Sequence, residues 1–280
     1  YGLLIVTLGA VAWLHLMNPI RLTTADLGRH IQNGEIILTE FSIPENNYYS
    51  YTYPEAPFIC HHWGAGVIFY AMWKVSGFSG LSWFYGVLLL MAIALFAWKS
   101  KINRSMSLIL LLTVAALPLL ASRPEVRPEG LTTLFLGALF FILVRFREGG
   151  CSAKWLWLIP VIQLVWVNVH LLFFMGIFVT SVFLIDALLV HGRGTEAKKI
   201  FLILICSVLV SLVNPFGIDG FLQPLRIFDE DGYQIAENMS LLFMLQRLPD
   251  NPIYPYFTLF LLTSLDRKST RLNSSHQIIS

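Results

Sequence analysis

Several groups of polar residues, set in an otherwise apolar chain, have types and spacings that can do chemistry. The first is Thr23-Thr24-Ala25-Asp26-Leu27-Gly28-Arg29-His30, followed by Gly34-Glu35. The Thr24 hydroxyl can cap a short helix with an acid in its first turn. Asp26 and His30 lie four apart, so a helix would stack them on one face. A carboxylate placed there can act as a general base, or join His30 in holding a divalent metal. The alternative is a capping Asp26 paired with Arg29 or Arg21. A second group runs from Tyr48-Tyr49-Ser50-Tyr51-Thr52-Tyr53 to Cys60-His61-His62-Trp63. Its rings suit stacking on a sugar, or anchoring at a membrane interface.

The third group, Ser122-Arg123-Pro124-Glu125-Val126-Arg127-Pro128-Glu129, joins two apolar blocks. Paired charges at a membrane boundary are costly unless they pair or bind something. Arginine forks suit a phosphate, so Arg123 and Arg127 are candidate anion ligands with Glu125 beside them. Internal salt bridges in a proline-stiffened loop are the alternative. In the fourth group, Trp166-Val167-Asn168-Val169-His170 interrupts an apolar run from 155 to 190 that is too long for one span. Asn168 and His170 therefore mark a turn and are candidate pocket residues. Asn214-Pro215-Phe216-Gly217 closes a further span. The acidic stretch Asp229, Glu230, Asp231, Glu237 and Asn238 either supplies a second catalytic or acceptor-binding carboxylate or is a solvated loop.

The elements that must position these groups are membrane helices. Of 280 residues, 56% are hydrophobic and 13% charged, against about 25% charge in an ordinary soluble domain. The apolar residues gather near 2–20, 80–98, 106–121, 130–146, 155–170, 171–190, 200–213 and 253–265. Such blocks are long enough to cross a hydrocarbon core of about 30 Å as helix. They lack the alternation of a membrane barrel. The fold class is therefore all-α, a polytopic transmembrane bundle whose first loop carries juxtamembrane amphipathic helices. The stretch 64–78, holding Lys74, is read as lying along the surface, the alternative being a short span.

Basic clusters at Lys99, Lys101 and Arg104, at Arg145, Arg147 and Lys154, and at Arg193, Lys198 and Lys199 are expected to face the cytoplasm. With 64–78 on the surface, all three clusters share one side. The opposite, extracytoplasmic side then receives 21–79, 122–129, 168–170 and 214–252, which hold the polar groups above. A net charge of +2 points to no nucleic-acid partner. Cys60, Cys151 and Cys206 lack metal-ligand spacing and are read as unpaired.

In order and context these motifs resemble the GT-C superfamily of membrane glycosyltransferases, near its protein mannosyltransferase and aminoarabinose transferase branch. The resemblance covers about 1–262: Ala25 to Glu35 after the first span, Pro44 through Tyr51-Thr52, His62-Trp63, Arg123-Pro124-Glu125, Trp166 to His170, Asn214 to Gly217, and Glu237. It implies a polyprenyl-phosphate sugar as donor and Asp26 as catalytic base. Leu27 stands where the family often has a second acid. The resemblance further implies that Arg123 and Arg127 are candidates for the donor phosphate and that His62, His170 and Glu237 are lesser pocket residues; whether a divalent metal assists is left open, with Asp26 and His30 its weak candidates. The expected function is inverting sugar transfer to a glycan, lipid or protein acceptor at the outer face of a bacterial cytoplasmic membrane.

A transporter or lipid-carrier flippase is the main alternative, although it should show an internal repeat and paired broken helices. An inactive fragment or scaffold is another. The chain opens at Tyr1 inside an apolar run and is expected to be a piece of a longer protein. Residues 266–280 resemble translated sequencing-adapter read-through and are expected to be non-native, the alternative being a cytoplasmic loop.

Overall fold

The computed structural model describes residues 9, 13, 20, 26–97, 114–119, 125–192, 194–226 and 239–262. Among them there is no strand, and a single isolated bridge pairs Asn46 with Pro57. The helices include α1 (Leu27–Glu40), α2 (Trp63–Ala97), α3 (Glu129–Arg147), α4 (Leu158–Val167), α5 (Phe174–His191), α6 (Thr195–Val210), α7 (Gly217–Arg226) and α8 (Leu241–Arg247), with a short apolar helix at Ile253–Leu262 where a span was expected. By length and apolar composition, Trp63–Phe96, Glu129–Arg147 and Leu171–Val190 can cross a membrane. The expected first span and the 266–280 tail lie largely or wholly outside the described residues.

In α2 the surface piece and the separate span suggested by the sequence follow one another without a loop, across a kink at Gly77. The 35 residues of α2 would reach about 50 Å at 1.5 Å per residue, far beyond a hydrocarbon core of about 30 Å. Gly77 resolves the excess. At φ 64° and ψ −167° it breaks the helical path, a conformation open to glycine because it lacks Cβ. The two halves then pack against different partners. The first half, 63–76, carries α1: a Cβ on Gly34 would lie 2.1 Å from the Gly66 carbonyl oxygen, so only paired glycines allow the two backbones to approach this closely. The second half, 78–97, lies along α3, with Tyr85 against Gly130 and Ala92, Leu95 and Phe96 against Gly137.

Helices α3 and α5 run in the same direction. Thr132 meets His170 at one end, and Arg147 forms a 2.8 Å ion pair with Asp186 near the other. Helix α4, preceded by a 3-10 turn at Ala153–Trp157, returns between them and reaches α6 through Gln163 Nε2, which donates to Ser211 Oγ at 3.1 Å. The bundle therefore has a polar end, holding α1, the 41–62 strap, residues 125–132, the 168–170 turn and α7. Its other end holds Arg145, Arg147, Lys154, Lys198 and Lys199. One buried cluster joins α1, α2, Val126 and Val169, and a second joins α3 to α6 around Trp166 and Phe173. Cys60, Cys151 and Cys206 are free thiols.

Candidate functional site

Asp26 immediately precedes α1 rather than sitting in its first turn, which holds no acid. This changes the expected arrangement. The Asp26 side chain makes no cap bond and instead pairs with Arg29 at 3.4 Å, the two side chains being 58% and 34% exposed. His30 is turned inward and only 4% exposed. The two side chains therefore diverge, because Asp26 stands before the first helical turn and the shared face never forms. Thr24, the expected cap, lies outside the described residues.

His30 meets a cluster that adjacency in sequence does not reveal. Its ring lies 5.3 Å from His62 in an edge-on contact. His62 stacks on His170 at 5.0 Å and touches His61 at 4.0 Å. Four imidazoles from α1, the strap and the 168–170 turn thus share one place. His30 and His170 are buried, while His61 and His62 keep partial exposure, giving the cluster one open edge.

Loss of hydration lowers all four. Burial, helped by the Arg29 and Arg127 charges and by His61, holds His30 down to about 3. Burial takes His61 to about 4 against the pull of its bond to Ile59. Burial brings His170 to about 3 and places His62 well below the ordinary value. Burial of the charged form opposes protonation in each case.

The sign of the resulting pH dependence follows. The unfolded chain binds protons near the ordinary imidazole value of 6.5, whereas the folded cluster resists them until about 3 to 4. Between those limits the unfolded state carries more protons, so stability is fully present above 6.5 and is lost as pH falls. The thermal unfolding midpoint of the detergent-purified chain is expected to drop steadily from about pH 7 to about pH 5; a flat profile would show that the histidines titrate normally.

A hydrogen bond sets the tautomer of His61. His61 Nδ1 lies 3.0 Å from the Ile59 carbonyl oxygen. A carbonyl only accepts, so His61 carries its proton on Nδ1 and presents a lone pair at Nε2. Thr132 Oγ1 accepts from Trp166 Nε1 at 2.9 Å and lies 2.7 Å from His170 Nδ1. A hydroxyl oxygen has two acceptor lone pairs, so the direction of the Thr132–His170 bond is set by the His170 tautomer. Thr132 stands in an apolar block that gave no sign of this role.

Asn168 has a different place from the one its position suggested. Its Oδ1 accepts from Trp63 Nε1 at 3.0 Å, and its Nδ2 donates to the carbonyls of Leu164 and Val213, each at 2.9 Å. Its carbonyl also accepts from Gly64 N at 2.9 Å. Asn168 therefore clamps α2, α4 and the end of α6, and its side-chain polar atoms are committed to packing. Asn168→Ala is expected to cost about 1 kcal/mol for each bond lost, since the groups it leaves are part-buried or exposed. Thermal unfolding checks this, and Asn168→Asp should fail to rescue because it cannot donate.

Glu125 and Arg127 come together at a small cavity of about 130 Å³, with Tyr85, Leu89, Leu119 and Glu129 also in its wall. Charged groups thus meet an apolar wall at the polar end of the bundle. An open cleft of about 500 Å³ lies on the other side, between the strap (Glu45, Phe58, Ile59) and α7 (Asp219, Arg226). Asp219 and Arg226 pair at 2.9 Å. Ile59 links this cleft to the cluster through its bond with His61. The cleft acids Glu45 and Asp219 had no motif around them. Arg123 and Glu237 lie outside the described residues. Among the described residues, no group of three or more His, Cys, Asp or Glu side chains can hold a metal ion.

No known family, curated protein or solved structure matches this chain.

Proposed function

We propose that this chain is a GT-C-like glycosyltransferase that moves a sugar from a polyprenyl-phosphate donor to a glycan, lipid or protein acceptor. It would work at the extracytoplasmic face of a bacterial cytoplasmic membrane that it crosses several times. One observation carries the reading: an ionisable carboxylate, Asp26, stands exposed at the start of a helix pinned to the polar end of an apolar bundle. The same end of the bundle holds a cavity with both charged and apolar walls and an open cleft of mixed lining. A lipid-borne donor and a water-borne acceptor need such neighbours.

The break at Gly77 favours the surface role for 63–76, since His62 and Tyr85 both pack at the polar end of the bundle. The basic residues then gather at the opposite end, as the positive-inside rule requires.

In the proposed step, Asp26 takes the proton of an acceptor hydroxyl or amine as that atom attacks the anomeric carbon. The bond from that carbon to the phosphate oxygen breaks, and polyprenyl phosphate leaves with the electron pair. Arg127, with Arg123, would balance the developing charge. The test is reconstitution of the purified chain with a polyprenyl-phosphate sugar and a mixed acceptor pool. Release of polyprenyl phosphate that depends on both chain and acceptor supports the reading; movement of the intact donor between leaflets without release supports a flippase.

A further inference from the structure

The open cleft of about 500 Å³ between the strap and α7 has the size of a small-molecule site, and both of its walls are held in place. On the strap side, Asn46 bridges to Pro57. Phe58 N donates to the Glu45 carbonyl oxygen at 2.7 Å, and Asn47 N donates to that of Ala56 at 3.0 Å. These bonds fix the backbone that carries Glu45 and Phe58. On the helix side, Asn214 closes the turn before α7. Its Oδ1 accepts from Phe216 N at 3.0 Å, and its Nδ2 donates to the Gly217 carbonyl oxygen at 2.9 Å. Phe221 of α7 packs on Phe173 of the bundle, the two rings 6.0 Å apart. Phe216, Asp219 and Arg226 are thus carried by an anchored turn and helix.

The lining combines three kinds of group. Asp219 and Arg226 pair at 2.9 Å with both side chains about half exposed, so a carboxylate and a guanidinium stand side by side. Glu45 brings a second carboxylate from the strap, and Phe58 and Phe216 bring aromatic surface from opposite walls. A sugar hydroxyl donates and accepts at once, which suits a carboxylate next to a guanidinium. The C–H face of a sugar ring suits an aromatic wall. Two carboxylates against one guanidinium leave a net negative lining, which disfavours a phosphate or any other anion. An extended peptide would need free backbone groups along the strap. Pro57 has no N–H, the Phe58 N–H is committed to Glu45, and the Ile59 carbonyl oxygen already accepts from His61 N.

We propose that this cleft binds a saccharide, with Glu45 and the Asp219–Arg226 pair holding its hydroxyls and Phe58 and Phe216 lying against its ring faces. Saccharide binding itself needs no chemistry. Only the role of the bound saccharide rests on the glycosyl-transfer reading: it makes the acceptor a glycan rather than a protein.

The test uses the full chain in zwitterionic nanodiscs and saturation-transfer NMR, which detects ligand protons lying against the protein. The probes are neutral trisaccharides of glucose, mannose, galactose and N-acetylglucosamine, and a serine- and threonine-containing decapeptide. Transfer to at least one trisaccharide is expected. Glu45→Gln and Asp219→Asn should each weaken its binding by about three- to tenfold. Phe58→Leu, which keeps apolar bulk but loses the ring face, should weaken it too, whereas Lys154→Gln at the far end should have no effect. Absence of transfer to every trisaccharide in the wild-type chain overturns the proposal, even if the variants do not fold. So does binding that Glu45→Gln and Asp219→Asn both leave unchanged, or binding of the decapeptide alone. Sugar transfer to a peptide acceptor would refute the glycan acceptor while sparing the proposed function. Saccharide binding by a chain that transfers no sugar would do the reverse.

Discussion

Asp26→Asn is expected to reduce sugar transfer by about 10²–10⁴-fold, the contribution of a positioned general base, while leaving the chain folded. The structure separates these two effects. The Asp26 side chain is 58% exposed and makes no cap bond to α1. Its ion pair with the partly exposed Arg29 is of a kind worth at most about 1 kcal/mol. Asn keeps the shape of Asp and can still accept a hydrogen bond, but it cannot take a proton from an acceptor. Transfer measured alongside a thermal unfolding curve should therefore show lost turnover with an unshifted midpoint. Wild-type turnover in Asp26→Asn would remove this carboxylate from the mechanism. A lowered midpoint would give it a structural role instead.

The second large effect lies away from any reacting group. Gly34→Ala places a Cβ 2.1 Å from the Gly66 carbonyl oxygen, 2.5 Å from its carbon and 2.8 Å from Tyr70 Cβ. The obstacle is chiefly backbone, so no side-chain rotation relieves it and α1 must lift from α2. Overpacking of this kind costs about 3 kcal/mol or more. Because α1 carries Asp26, Arg29 and His30, transfer should fall along with stability. Gly28 lies on the same helix, and a Cβ there meets nothing within 4 Å. Gly28→Ala should therefore be tolerated, with a gain of up to about 1 kcal/mol from helix propensity. Thermal midpoints of the two variants make the comparison. Equal midpoints would mean that the Gly34–Gly66 crossing does not hold the site.

The residues differed in how much of this they disclosed. Helix type and approximate place were legible for α3 to α6, because apolar helices read as unbroken apolar blocks bounded by charge. The turn at Asn168 to His170 was legible for the same reason, as polar residues inside a run too long for one helix. Their separate roles were not: Asn168 is tied to Trp63 and Val213 and His170 to Thr132, all contacts between remote segments. The spacing of Asp26 and His30 implied a shared face, but a helix start displaced by two residues, from a Thr24 cap to an Asp26 cap, separated them. Neither the pairing of Gly34 with Gly66 nor the meeting of His30, His62 and His170 has a local signature. Both depend on how α1 folds back onto α2.

The most direct measurement is cysteine labelling in intact cells, in a background lacking Cys60, Cys151 and Cys206. Single reporters replace Tyr51 on the strap, Glu125 at the cavity and Lys198 at the basic end. Tyr51→Cys and Glu125→Cys are expected to react with an impermeant reagent from outside, and Lys198→Cys only after permeabilisation. That pattern puts Asp26, the histidine cluster and both openings on one face, opposite the basic residues. Labelling of the Tyr51 and Glu125 positions from opposite sides would contradict it: 63–76 would then cross the membrane, and the residues assigned to one site could not act together.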